Sequence, residues 1–479
     1  MQVTVILIVV VYLIAMLGIG FYSSKKVSSN EDFMVAGRSL GPILMAGTLS
    51  ATEIGGGSSL GVVEKAYGQW GLGASWYITT MGIAFVILSF IAHRFRKAEV
   101  KTVPEYFRRR YGKSAGFITA IIMLLPLIGL TASQFIASAT IVSVMLNLDF
   151  KIAVTVVAVV VTIYSVMGGL WAVALTDFVQ VFLIVIGMFI AVPFALNLAG
   201  GMDNVVANVP KETLNLFGGI NIPTIIGLIV MYIASFTVGQ EAVSRFYAAK
   251  DGKAAIQGSA LSAVINFVYA FIPTILGIIT LALVNMGKLD SEIILKNGAK
   301  YALPNLAMAA MPAVIVGLLF SGIISATMSS ADSDLLGAGS IFGNDIYKIY
   351  IKKDAKSEEI MKVTKVTMVI IGIVAWIIAM TNTGSIITLL MFSFTLRAAG
   401  AFFPYIFGLY WKKSSLEGTI ASLIVGSIVI IILEHSKNIS FFNLPNIIPG
   451  LLASLITFVV VTLIKPSKRE SCELDYEAD

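Results

Sequence analysis

The chain has 479 residues, 57% of them hydrophobic and 13% charged, with a mean hydropathy of +0.91, too little polar surface to coat a soluble globule. One cysteine, Cys472, and two histidines, His93 and His435, exclude a disulfide framework and a dense His/Cys metal site, and with them redox and zinc chemistry. The formal net charge of +6 lies in short loops between apolar runs, the pattern of cytoplasmic loops beside anionic lipid and not of a nucleic-acid surface.

Apolar stretches long enough to cross a ~30 Å hydrocarbon core recur thirteen times, near 3–22, 41–66, 72–95, 116–147, 152–169, 172–198, 224–247, 260–286, 312–345, 361–381, 384–410, 416–434 and 447–464. The first lacks a basic start and a small-residue cleavage site, so it reads as a retained helix and not a signal peptide. Lys25, Lys26 and Arg38, the run from Arg94 to Lys113, Lys348 to Lys356, and Lys412 with Lys413 fall in alternate loops, which predicts that those loops are cytoplasmic, the N-terminus external and the C-terminus internal. The expected location is the plasma membrane. Both tails are short, so no appended soluble domain is expected. The longest external loop is predicted at 287–311, and "NIS" at 438–440 is a sequon too common to carry weight.

Charged side chains at membrane depth cost roughly 2.5–3.5 kcal/mol each on insertion scales, so each needs a partner, a cavity or an ion. In chain order the costly residues are Glu53, Asp177, Glu241, Asp332, Asp334 and Arg397. Glu53 stands in "LSATEIGGGSSLG" (49–61), where three glycines, each about 1 kcal/mol poorer than alanine in a helix, predict an interruption of the second segment. Broken helices at this depth line cavities or ion sites; close helix packing is the competing explanation. Asp177, in "GGLWAVALTDFVQ" (168–180), is either the cap of a helix start or a cation ligand. A second break is predicted at Gly239 in "SFTVGQE" (235–241), with Glu241 free to pair with Arg245 four residues on. In "SGIISATMSSADSDLLGAGSIFGND" (321–345), Ala326, Ser329, Ser330 and Ser333 share one helical face and Ser325, Ser329 and Asp332 an adjoining one. Together with freed carbonyls these oxygens suit a small alkali cation. Arg397, in "FSFTLRAAG", is either a counter-charge for a buried acid or a clamp for a substrate carboxylate.

The two interrupted segments are each the first of a run of five, 41–199 and 224–410. Because five is odd, the runs enter the membrane from opposite sides, giving inverted repeats with the central site at the breaks. One helix (3–22) precedes this core and two (416–464) follow it, all within a single transmembrane domain.

The pieces "DFMVAGRSLG" (32–41), "TVPEYFRRRYG" (102–112), "GGLWAVALTDFVQ", "GQEAVSRFYAAKD" (239–251) and "SATMSSADSDLLGAGSIFGNDIY" (325–347) resemble the sodium:solute symporter family. The resemblance implies an all-α, LeuT-type 5+5 inverted repeat and Na⁺ as coupling ion. It implies a principal sodium site at the backbone oxygens of Ala51, Ile54 and Ala326 and the hydroxyls of Ser329 and Ser330. A second site, found in some members, would use Asp177, Ser329, Asp332 and Ser333, although Asp332 replaces an expected hydroxyl. Locally the chain is most similar to the choline-transporting branch, yet Glu53, Gly129 and Gly239 stand where that branch is expected to carry aromatic residues, which argues against choline. A carboxylate at Glu53 is expected either to bind an amine directly, as in amino acids or polyamines, or to serve the coupling ion, as an acid at this position is expected to do in proline-transporting relatives. The substrate set is assigned to Glu53, Gly55, Gly56, Gln134, Gly239, Gln240 and Arg397.

The expected function is secondary active transport: Na⁺ entry drives uptake of a small organic solute, an amino acid, amine or related metabolite, by a lipid-embedded monomer. One Na⁺ gains about 2.3 kcal/mol per 100 mV, and about 1.4 kcal/mol supports a tenfold gradient. A membrane enzyme is not expected, since no histidine, cysteine or metal motif lies at depth. The competing expectation is a channel or sensor built on the same fold.

Overall fold

The computed structural model describes residues 2–24, 30–381, 384–436 and 444–467, and its elements are helical apart from an isolated bridge between Leu40 and Ala249. Lys25, Lys26, the 438–440 sequon and Cys472 lie outside the described residues.

Ten helices are long and apolar enough to cross a membrane, and the bent pair Ile222–Val238 and Gln240–Ala248 makes an eleventh candidate. Helices also stand at the two remaining places. The first is Gln2–Ser24, 23 residues, long enough to cross. The second is interrupted after Pro42–Glu53, passes through a wide π turn at Gly57–Gly61 and resumes as Val62–Tyr67, so neither half alone spans the core. The break falls at Ile54 and Gly55, as the glycine run predicts.

The run Phe150–Ala199 is helical throughout yet contains two spans, Phe150–Met167 and Val173–Ala199. The Tyr164 hydroxyl donates to Thr176 Oγ1 at 3.0 Å, whereas twelve residues of straight helix would hold the two Cα atoms about 18 Å apart. The chain therefore folds back between them, bringing Asp177 into the interior.

The break in the second segment is held by side chains that satisfy its freed backbone groups. Gly56 N–H donates to Gln134 Oε1 at 2.8 Å, and the Ser58 hydroxyl donates to the Glu53 carbonyl at 2.8 Å. Glycine is required at 56 by close approach: a Cβ there would overlap that of Ala137 and press on Gln134 Oε1. Gly56→Ala is expected to destabilise the fold by about 1–3 kcal/mol through overpacking, read as a lower unfolding temperature of the purified protein. An unchanged temperature would show that the break is pliable.

Away from the breaks, the motif-bearing segments lock into one layer. Thr102 caps the helix Val103–Tyr111, accepting from Glu105 N–H at 3.1 Å, while Glu105 accepts from Lys101 N–H at 2.8 Å, a capping-box arrangement read directly from "TVPE". Arg38 donates to the carbonyls of Tyr247 and Glu99, and Arg110 to those of Gly408, Trp411 and Lys412 and to the Ser414 hydroxyl. Leu40 and Lys250 close the layer, with Leu40 N–H donating to Ala248 and Lys250 N–H to Leu40. These cationic side chains are structural ties as well as topological markers.

Candidate functional site

The helix Ala313–Ser340 is the axis of the site and is buried from Phe320 to Ser340. It crosses the broken second segment at Ser330, whose hydroxyl donates to the Thr52 carbonyl at 2.7 Å and approaches the Ala326 carbonyl at 3.1 Å. Gly55 lies close enough that a side chain there would collide with Ser330 Oγ and Gln134. The Ser330 hydroxyl therefore stands beside the stretch from Ala51 to Ile54, both of which are buried. Backbone carbonyls at a helix end and serine hydroxyls make a hard, all-oxygen surrounding with no soft ligand, the chemistry that suits Na⁺.

A second group lies next to it. Asp177 is fully buried; its Oδ1 accepts from the Ser329 hydroxyl at 2.5 Å and its Oδ2 from the Thr48 hydroxyl at 2.5 Å. Arg245 Nη2 lies 3.4 Å from Asp177 Oδ2 and donates to Ser333 Oγ at 2.6 Å. The capping alternative for Asp177 is thereby replaced: the carboxylate serves three neighbouring segments and not its own helix start. The expected pairing of Glu241 with Arg245 is also corrected. Arg245 donates to the Glu241 carbonyl at 2.6 Å, and its guanidinium turns to Asp177, the acid without another cation. Asp332 is buried but its Oδ1 has no hydrogen-bond partner among the described residues; the structure brings together Asp177, Ser329 and Ser333, with Arg245 among them.

Glu241 pairs instead with Arg397, Oε1 to Nη1 at 2.5 Å, in a contact buried to 3% and 1% exposure. Arg397 Nε donates to Ser235 Oγ at 2.5 Å and its guanidinium lies 4.8 Å from the centre of the Phe394 ring. The pair fits because residue 239 has no side chain: a Cβ there would come within 2.6 Å of Arg397 Nη2 and 2.8 Å of Glu241 Oε1. The backbone bends 55° at this point, so the predicted second break is present. Of the two roles open to Arg397, the structure shows the counter-charge.

The substrate set divides. Glu53 and Gln134 line a small cavity together with Thr52, Tyr77, Glu241, Ser330 and Asp334; its free volume is about 20 Å³, room for one ordered water. Gly55 and Gly56 shape its wall by admitting Ser330 and Gln134. Gln240 is turned away: its Oε1 accepts from Val103 N–H at 2.9 Å and its Nε2 donates to the Lys101 carbonyl at 3.1 Å. Both ends of its amide are committed to the capping layer, which takes Gln240 out of the cavity. Gly239 and Arg397 stand behind Glu241 and not on the cavity wall. Asp334 was missed as a site residue. The signal was a helical stripe at i, i+3 and i+7, Thr327, Ser330 and Asp334, which carries Ser330 and Asp334 onto the cavity.

The comparisons with known proteins agree with this architecture. The model of the sodium:solute symporter family matches residues 33–426, and the chain belongs to that family. It is 26% identical over 484 residues to the osmoregulated proline transporter OpuE of Bacillus subtilis, covering 98% of this chain and 96% of the relative. It is 28% identical over 493 residues to sodium/proline symporter 2 of Staphylococcus saprophyticus, covering 98% and 95%. Among solved structures, a Na⁺-coupled sialic acid symporter in a substrate-bound, outward-open state superposes with a TM-score of 0.79 at 20% identity, covering 97% of this chain and 99% of the other. A nucleobase-cation-symport-1 family transporter reaches 0.56 at 14% identity, covering 94% and 97%. The fold is that of the LeuT-type transporters, and the protein is a sodium-coupled solute carrier.

Proposed function

We propose that this chain takes up a small organic solute, an amino acid, amine or related metabolite, by alternating access around the two broken segments, with the principal ion held by the carbonyls of Ala51, Ile54 and Ala326 and the hydroxyls of Ser329 and Ser330. The observation that carries the reading is the Ser330 hydroxyl reaching the Thr52 carbonyl at 2.7 Å across the break. An ion in that place would join the second segment to the ninth and favour the state that admits solute. The domain plan follows: 3–22 before the core, repeats at 41–199 and 224–410, and two helices at 416–464. The first helix and the broken second segment complete thirteen crossings, with the N-terminus outside, the C-terminus inside, and the whole in the plasma membrane as a monomer.

Asp177 and Ser333 engage Arg245, and Ser329 donates to Asp177, which supports one coupling ion, the guanidinium supplying the charge a second ion would bring. In proteoliposomes an inward Na⁺ gradient is expected to drive accumulation of the solute above its outside concentration, and replacing Na⁺ by K⁺ to abolish it. Flux that only equilibrates would establish the channel reading instead.

A further inference from the structure

Three carboxyl groups, Glu53, Glu241 and Asp334, converge on the cavity. Two guanidinium groups lie nearby: Arg397 is ion-paired with Glu241 and donates through Nε to Ser235, its Nη atoms making no hydrogen bond among the described residues, and Arg245 is engaged by Asp177, Ser333 and the Glu241 carbonyl. Neither Glu53 nor Asp334 has a cationic side chain within 4 Å among the described residues, and neither is otherwise hydrogen-bonded through its carboxylate there. Glu53 is 7% and Asp334 3% exposed, and Glu53 Oε1 has no hydrogen-bond partner. A buried carboxyl group in this state needs either a positive charge from elsewhere or a proton.

The rest of the wall suits a cation of one kind. The Tyr77 ring lines the same cavity and stands edge-on to Tyr232, with centroids 5.6 Å apart. An aromatic face beside carboxylates attracts an organic ammonium. The Phe394 ring is already under Arg397.

We propose that the solute is an organic cation, an amine whose ammonium group is held between Glu53 and Asp334 against the Tyr77 ring, with Arg397 acting as the counter-charge of Glu241 and not as a clamp for a substrate carboxylate. This rests on the carrier reading above and narrows it to one substrate class. Net charge decides the preference: three carboxyl groups line the cavity, while the one guanidinium beside it stands behind Glu241 and is ion-paired with that residue, so an amine should bind better than the amino acid built on the same ring.

A matched series tests this on the purified full-length protein by thermal unfolding in NaCl and in KCl, since a ligand of the folded state raises its stability. Pyrrolidine, piperidine, putrescine and agmatine are the cations; proline is the zwitterion; cyclopentanecarboxylate is the anion. At least one cation is expected to raise the unfolding temperature in NaCl, pyrrolidine to act at lower concentration than proline, and cyclopentanecarboxylate to have no effect. Glu53→Gln and Asp334→Asn should each raise the half-saturating amine concentration roughly tenfold to hundredfold, the loss of a hydrogen bond to a charged group. Their response to Na⁺ without amine reports whether each variant is folded, and the wild-type series stands without them. No shift from any cation, proline acting at or below the pyrrolidine concentration, or amine binding that survives both substitutions overturns the proposal. If Na⁺ alone stabilises the protein while every amine fails, only the substrate class is lost. If Na⁺ alone fails as well, the carrier reading falls with it.

Discussion

Replacing both Ser329 and Ser330 by alanine is expected to weaken sodium binding by about a hundredfold or more, because each hydroxyl lost from a charged ligand costs about 1.5–3 kcal/mol and each 1.4 kcal/mol is tenfold. The measurement is the Na⁺ concentration that half-saturates thermal stabilisation of the purified protein. In the proposed site Ser330 would serve twice, as an ion ligand and as the donor to Thr52 across the break; Ser329 also donates to Asp177. The unfolding temperature in the absence of sodium separates the two effects, since lost tertiary bonds lower it whether or not an ion is present. Wild-type sodium dependence in the double variant would remove these hydroxyls from the ion site. Single variants should each lose less than the pair, because the remaining hydroxyl and the carbonyls of Ala51, Ile54 and Ala326 still face the ion.

The second large effect is at the pair of Asp177 and Arg245, 0% and 1% exposed. Asp177→Asn leaves a buried guanidinium without a counter-ion, and breaking such a pair from one side costs about 3–5 kcal/mol. Asp177→Asn combined with Arg245→Met should recover a substantial part of that loss, because an uncharged interior no longer contains an uncompensated ion. The check is the order of the unfolding temperatures: wild type highest, the double variant next, Asp177→Asn alone lowest. A double variant no more stable than the single one would mean that Arg245 is held chiefly by Ser333 and the Glu241 carbonyl. Arg245→Met alone leaves Asp177 without its cation, and stability should then depend more steeply on sodium. That result would show the guanidinium standing in for an ion.

Much of the architecture was legible before any coordinates. The apolar runs near 72–95, 116–147 and 361–381 reappear as Gly71–Lys97, Lys113–Leu146 and Ser357–Thr381, since in hydrocarbon a segment of that length must satisfy its own backbone and so becomes a helix. The breaks at Gly55 and Gly239 were readable because glycine and charged residues are both costly at this depth and coincide only for a reason. Gln240 misled for the opposite reason: a polar residue next to a break looks like a site residue, yet the side to which its amide turns depends on the loop at 101–103, distant in sequence.

Composition and periodicity determined that this is a many-spanning helical membrane protein with two interrupted segments and a polar helix at 325–334, because hydrophobic length, helix propensity and the 3.6-residue repeat are local properties. Only the tertiary structure decided which acid meets which cation. Glu241 had Arg245 four residues away in its own helix and took Arg397 instead, 156 positions on, at 2.5 Å. Arg245 took Asp177, across the fold-back of the sixth segment. Charge pairing in a low-dielectric interior is settled by distance in space, which is not written in the spacing of residues along a chain.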